Sequence, residues 1–250
     1  MNHKASVVSS LALAISLGLA GSANGAIITF TGADTGVGPP GPFPLSAAAA
    51  AAFDAAIGPH PLITFEGLPL GTFVNLNVGS GVNANLANLD PAFSRITNID
   101  QHAAPSPLGF NITPGGVEWL QVAPFAPDPA GGAVTFSFPT PVQAFGAYLT
   151  DTQSTFPGPI TLTFNDGIAE TLSITKNGDA GGALFLGFTD FGTSFSSVTF
   201  HTGAIPDGTR DIWGIDDIRF ASAAVPEPAS LLLLGTALLG LSAIRRRKRT

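Results

Sequence analysis

The sequence predicts an all-β domain: an antiparallel, jelly-roll-like β-sandwich with one short Ala-rich helix, flanked by an N-terminal signal peptide and a C-terminal transmembrane helix. Three observations predict the sandwich. The 250 residues include 30 Gly, 21 Pro and 19 Phe, a composition that suits many short strands joined by frequent turns. Three stretches, 133–138, 142–149 and 160–164, alternate apolar with small or polar residues at period two, the mark of half-buried antiparallel strands. Strand-like pieces also succeed one another without helices between them, and no repeat of solenoid or propeller length is present.

In chain order, Ala26–Ala33 reads as a first short strand and 36–44 as a Gly/Pro linker. Ser46, six alanines, Phe53 and Ile57 before Gly58-Pro59 read as a short helix, with Ser46 as N-cap, Gly58 as stop and a sheet edge as its seat. Leu62–Gly67 and Leu68–Val74 turn the pattern to β. Residues 75–116 are rich in loop formers around apolar pieces such as Phe110-Asn111-Ile112. Val117–Val122 is a further strand. After the three alternating stretches, Asn165-Asp166-Gly167 signals a hairpin with Ile168–Thr175 as the return strand. Leu184–Phe188, Ser197–His201 and Ile212–Phe220 complete the set.

Both ends of the chain differ from this middle. Lys4, the apolar run Val7–Ala20 and the small residues Gly21–Ala26 have the order of a secretory signal peptide over residues 1–25, cleaved after Ala23 or Gly25. The other end combines Val225, Pro226, Glu227, Pro228, Ala229 and Ser230 with the 16-residue apolar run Ala229–Ile244. It finishes with Arg245, Arg246, Arg247, Lys248 and Arg249. As a helix the run reaches roughly 24 Å, a little short of a ~30 Å hydrocarbon slab, and a snorkelling Arg245 makes up the length. The five cations belong on the cytoplasmic side, leaving residues 26–224 outside.

This tail resembles the PEP-CTERM sorting signal of Gram-negative bacteria, in its Val225–Ser230 motif, its Leu-rich run and its Arg-rich end. The resemblance covers about a tenth of the chain and implies an exosortase that reads the tail and cuts near Pro226–Pro228. It implies Sec translocon and signal peptidase as earlier partners, a membrane-anchored precursor, and delivery to the cell surface or extracellular matrix.

Charge and composition narrow what the domain does. The whole chain carries −7, but residues 26–224 hold 16 acids and 4 bases, a net of −12. Such a surface repels nucleic acid and anionic lipid and carries no basic patch. With no cysteine, disulfides, thiol nucleophiles and thiolate metal sites are excluded, and about 200 residues can bury a core without staples. Gly79-Ser80-Gly81 lacks the nucleophile-elbow spacing. No histidine pair has zinc spacing, and no phosphate-binding loop occurs. Paired acids for glycoside hydrolysis are spatial neighbours and invisible at this level. The reading is therefore a non-enzymatic module, with a secreted hydrolase and a purely structural matrix protein as the alternatives.

One constellation joins the ends of the β region: Phe65-Glu66-Gly67 and Gly214-Ile215-Asp216-Asp217-Ile218-Arg219-Phe220. Both stretches resemble those of secreted jelly rolls, including carbohydrate-binding modules. There the resemblance implies a structural Ca²⁺ held by Glu66, Asp216 and Asp217 with backbone carbonyls. Strict alternation puts Ile212, Gly214, Asp216, Ile218 and Phe220 on one face, and Trp213, Ile215, Asp217 and Arg219 on the other. One aspartate then faces the core and needs a cation or an arginine, for which Arg219, Arg210 and Arg95 are available. The alternative is a plain salt bridge or strand-end cap. For extracellular polysaccharide, aromatic platforms are limited to Trp119, Trp213 and Tyr148, with Trp213 beside Arg210 and Asp211 the foremost.

Overall fold

The computed structural model describes residues 27–100, 108–125, 130–153, 159–165, 169–174, 181–190, 192–205 and 211–222. The signal peptide, the tail from Val225 onward and Arg210 lie outside the described residues. Among the described residues no helix is long and apolar enough to cross a membrane.

Among the described residues, thirteen strands and one helix form an antiparallel sandwich. The first section of chain supplies β1 (Ile28–Thr35), α1 (Pro44–Ile57), β2 (Leu62–Ile63), β3 (Gly71–Thr72), β4 (Asn75–Gly79), β5 (Val82–Ala87) and β6 (Arg95–Thr97). The second supplies β7 (Trp119–Val122), β8 (Ala133–Thr150), β9 (Thr161–Asn165), β10 (Ala169–Ser173), β11 (Gly182–Thr189), β12 (Phe195–His201) and β13 (Trp213–Ser222).

β8 organises the two layers. The two alternating stretches expected as separate strands are one 18-residue strand. Its first half pairs with β5 on one side and β12 on the other, extending through β4, β9 and β10. Its second half pairs with β11 and β13, extending through β1, β7, β6, β3 and β2. Between the halves lie the exposed Pro139-Thr140-Pro141, which donate little to a ladder and mark where the strand changes layer. On β12 the pairing steps from Phe195↔Val142 to Ser197↔Ser137 across this bend.

The layers close on an aromatic core. Phe136, Phe164, Phe195 and Phe200 from one layer meet Phe145, Phe188, Trp213 and Phe220 from the other. Ring centroids are 4.7 Å apart for Phe164–Phe188, 5.9 Å for Phe145–Phe200 and 5.9 Å for Phe200–Trp213. These spacings are those of offset and edge-on ring pairs. Gly79-Ser80-Gly81 is the β4–β5 hairpin turn, with Ser80 at φ 51°.

The helix is where the sequence expectation needs correcting. α1 lies on the sheet face at its β1 edge, reaching over β1, β11 and β8. Ser46, Ala50 and Phe53 form its buried stripe. The Phe53 ring sits over Gly146 and Gly187, where an added Cβ would meet it at 2.9 and 2.7 Å, so glycine at both positions is what lets the helix approach. Its N-terminal amides are capped from outside the helix. The Asp34 carboxylate at the end of β1 accepts from the amides of Leu45 (3.1 Å) and Ser46 (2.8 Å) and from the Ser46 hydroxyl (2.7 Å). Ser46 is inside the first turn and donates to that cap, while Phe43 holds the N-cap position without a side-chain bond.

Because Asp34 satisfies donors that an isolated helix leaves open, Asp34→Ala should destabilise the domain by about 1–2 kcal/mol. The loss should appear first as faster amide hydrogen exchange across 45–57. Unchanged exchange there would mean that burial of Phe53 alone holds the helix.

Candidate functional site

The sequence points to Glu66, Asp216 and Asp217, and the fold brings all three to one end of the sandwich. β13 carries a bulge there. Asp216 pairs with Tyr148, yet the next pairing is Arg219 with Gly146, so β13 has one residue too many. Asp217 takes it up with φ 48°, the re-aiming that a bulge provides. Trp213 and Ile215 before the bulge and Ile218 and Phe220 after it consequently all reach the core. The strict alternation expected for this strand is wrong beyond Asp216 for that reason. Both aspartates are buried instead of one, at 0% and 4% exposure.

Their partners are hydrogen-bond donors of the segment 109–118. Asp216 Oδ2 accepts from the amides of Ile112 (2.8 Å) and Thr113 (3.3 Å), and Oδ1 from the Asp217 amide (2.8 Å). The Thr113 hydroxyl donates to Asp217 Oδ1 at 2.5 Å. Glu66 follows Phe65, itself at φ 61°, and its Oε1 accepts from the amides of Val117 (2.8 Å) and Glu118 (2.8 Å) and from Asn111 Nδ2 (3.0 Å). Gly116 passes so close that a Cβ there would overlap Glu66 Oε1. Glu118 returns the grip by accepting from the Leu68 amide at 3.2 Å. The other end of the segment is tied by Asp151, which accepts from the Gly109 amide at 2.8 Å, and by Thr150, whose hydroxyl accepts from the Phe110 amide at 3.1 Å.

Arg219 links this cluster to α1. Its Nε lies 3.1 Å from Asp54 Oδ1 and its Nη2 3.6 Å from Asp217 Oδ2, while Nη1 donates to the Asp217 carbonyl at 2.8 Å. The guanidinium lies over the rings of Tyr148 and Phe185, 5.4 and 5.5 Å from their centroids, a stacked setting that a lysine would not reproduce. Sequence reasoning named Arg219 as an available partner but missed Asp54, Thr113, Asn111 and Asp151. None sits near the aspartates in sequence.

Burial pushes the Asp216 carboxyl well above the usual carboxylate range, with the Asp217 charge adding to it and the three amide donors opposing. Burial also raises Asp217, against the Thr113 hydroxyl and Arg219. The calcium expectation fails a test of fit here. Ca²⁺ needs six to eight oxygen lone pairs converging on one point, whereas these carboxylates face N–H and O–H groups and the Arg219 guanidinium. Among the described residues no three His, Cys, Asp or Glu side chains gather to hold a metal ion. The cluster's chemistry is anchoring: it fastens segment 109–118 to the strands.

The anchored segment walls a groove of about 440 Å³, lined among others by Pro39, Pro40, Phe43, Asn98, Asn111 and Thr113. Phe43 stacks on Phe110 beneath it, centroids 5.7 Å apart. The aromatic platforms expected for sugar stacking are not available. Trp213 is 0% exposed and packs on Phe200, Trp119 is equally buried, and Tyr148 lies under Arg219. A stacking platform must be open to its ligand, so Trp213 is corrected to a core residue.

Residues 224–248 match the family model of the PEP-CTERM protein-sorting motif. No curated protein matches the chain by sequence. Among solved structures, the chain is similar to a family 29 carbohydrate binding module at 12% identity and TM-score 0.33, over 69% of this chain and 97% of that one. It is similar to the K2 cleaved adhesin domain of Lys-gingipain at 15% identity and TM-score 0.36, over 66% of this chain and 98% of that one. A third is an arabinose-bound α-L-arabinofuranosidase at 17% identity and TM-score 0.36, over 65% of this chain and 26% of that one. At these scores the likenesses decide neither ligand nor activity.

Two outcomes follow for the anchoring cluster. Thermal midpoints in Ca²⁺ and in chelator should coincide, and a midpoint raised by Ca²⁺ and returned to its chelator value in Asp217→Ala would restore the cation. A carboxyl raised on folding contributes stability that is whole below its unfolded pKa of about 3.9 and lost as pH rises through the folded value. The midpoint of the wild type relative to Asp216→Asn should therefore fall as pH rises from 4 toward neutrality. A difference that grows with pH would mean that the amide donors outweigh burial.

Proposed function

We propose that this protein is exosortase cargo: exported, held as a membrane-anchored precursor by its tail, and delivered to the cell surface or extracellular matrix. There its β-sandwich interacts with polysaccharide without catalysing a reaction. The observation that carries the reading is the sorting motif at Val225–Ser230, within the matched residues 224–248. Sec translocon and signal peptidase act first, on residues 1–25. The exosortase then acts on the motif, with Ala229–Ile244 in the membrane and Arg245–Arg249 on the cytoplasmic side.

The non-catalytic part of the reading is supported by how the acids are used. Glycoside hydrolysis takes two carboxyl groups facing one open site, about 5–9.5 Å apart. Among the described residues that line the groove, Asp100 is the one carboxylate. Glu66, Asp151, Asp216 and Asp217 do not line it; each accepts hydrogen bonds from amides or hydroxyls of segment 109–118. A domain net charge of −12 suits a surface that stays soluble in a crowded matrix. It does not suit nucleic acid.

Deleting Val225–Thr250 should release the protein into the periplasm or medium in one processed size. Membrane retention and processing identical to those of the full chain would overturn the sorting assignment.

A further inference from the structure

One layer of the sandwich turns a face outward that α1 does not cover. On it the strands β4, β5, β8, β12 and β9 stand side by side, and their paired residues share that face. One row across them reads Asn75, Asn85, Thr135, Thr199, Thr163, each directly opposite the next. A second row reads Asn77, Asn83, Ser137, Ser197. These positions are exposed or partly exposed, while the alternate ones, such as Ala84, Phe136, Val198 and Phe164, are buried in the core. Thr135 and Thr199 hydroxyls hydrogen-bond at 3.0 Å, Asn85 Nδ2 donates to Asn75 Oδ1 at 2.7 Å, and Thr163 Oγ1 lies 3.1 Å from His201 Nε2. The side chains thus hold one another in a regular array. At a strand spacing of about 4.8 Å, the first row spans roughly 19 Å.

The composition of these rows is the informative part. The domain has a net charge of −12, yet the two rows contain no Asp, Glu, Lys or Arg and no aromatic or large aliphatic side chain. The large exposed hydrophobic residues, among them Ile28, Leu45, Phe93 and Phe125, belong to other positions. We propose that this face binds an uncharged polysaccharide lying flat across the strands, held by hydroxyl and amide groups in place of aromatic stacking. This rests on the polysaccharide-interacting reading above and locates it on this face, away from the groove.

The chemistry disfavours other occupants. Protein interfaces centre on aromatic, Met and Arg side chains, and these rows have none. A second copy would bring two strongly acidic domains together with nothing apolar to offset their repulsion. An acidic polymer would meet the same repulsion without a basic residue to pair with. A neutral polyhydroxyl chain suits a surface whose every side chain can donate and accept hydrogen bonds.

The test uses the full chain, purified in detergent, and its retention on immobilised cellulose, starch and mannan as neutral polymers and alginate as the acidic one. Thr135→Val with Thr199→Val removes two hydroxyls and keeps the β-branched shape. Asn83→Ala repeats the test at an exposed position. Asn98→Ala probes the groove. The expected result is retention on at least one neutral polymer and none on alginate. The double variant should weaken that retention roughly tenfold, from two lost hydrogen bonds, and Asn83→Ala should weaken it too, while Asn98→Ala leaves it unchanged. Retention lost only in Asn98→Ala, or equal in all variants, would overturn the assignment to this face and leave polysaccharide binding standing. Retention on alginate alone would overturn the neutral class. Retention on none of the four would overturn the polysaccharide reading and this inference together. Concentration-dependent dimerisation abolished by the double variant would assign the face to a second copy instead.

Discussion

The contact on which this structure depends is a carboxylate accepting hydrogen bonds from backbone amides. With 16 acids and 4 bases between residues 26 and 224, most carboxylates have no cation to meet. A buried one must find N–H donors or lose its charge. The fold supplies them. Asp34 takes the first-turn amides of α1, Glu66 those of Val117 and Glu118, Asp151 that of Gly109, Asp211 that of Gln153, and Asp216 those of Ile112 and Thr113. Asp34 on β1 pins a helix end and Asp216 on β13 pins a loop, while the exposed Glu66 and the strand-flanking Asp151 and Asp211 tie one stretch of irregular chain to another. The acids therefore do in this cysteine-free domain what disulfides do elsewhere: they fasten irregular chain in place.

This use of acids makes the cluster at β13 an anchor for segment 109–118. A catalytic carboxyl must face its substrate, and a metal-binding one must leave its lone pairs free. Both Asp216 oxygens and Glu66 Oε1 accept from backbone amides instead. Arg219, enclosed by Asp54, Asp217 and two aromatic rings, brings a base into the network and joins the helix to the bulged strand. Packing and electrostatics converge at β13 for this reason. Its bulge turns Ile218 and Phe220 to the core while aiming two carboxylates at segment 109–118.

Much of the architecture was legible because period-two alternation is a local signal. The strands β8, β9, β11, β12 and β13 lie where alternation and turn residues put them, and the β9–β10 pairing agrees with the hairpin signal at Asn165. What alternation misread lies in two places, each with its own local cause. At Asp217 a left-handed residue adds a step and inverts the faces beyond it. At Pro139–Pro141 a bend lets one strand serve both layers, where the sequence suggested two strands. The candidate site was half legible. Glu66, Asp216 and Asp217 were found as a constellation, but the sequence pointed them at a cation, whereas their partners are amides roughly a hundred residues or fifty residues away along the chain.

By itself the sequence determined the all-β character, the acidic balance, the exclusion of thiol and phosphate-loop chemistry, and the sorting motif at the C-terminus. Each of these is a property of composition or of contiguous residues. Only the tertiary structure decided that Trp213 is core, that α1 is capped from β1 and seated on Gly146 and Gly187, and that the acids anchor a loop. It also assembled the uncharged rows of Asn, Thr and Ser, whose members come from five strands scattered between residues 75 and 199. No stretch of sequence contains such a face, because strand pairing, which is non-local, is what places those side chains next to one another.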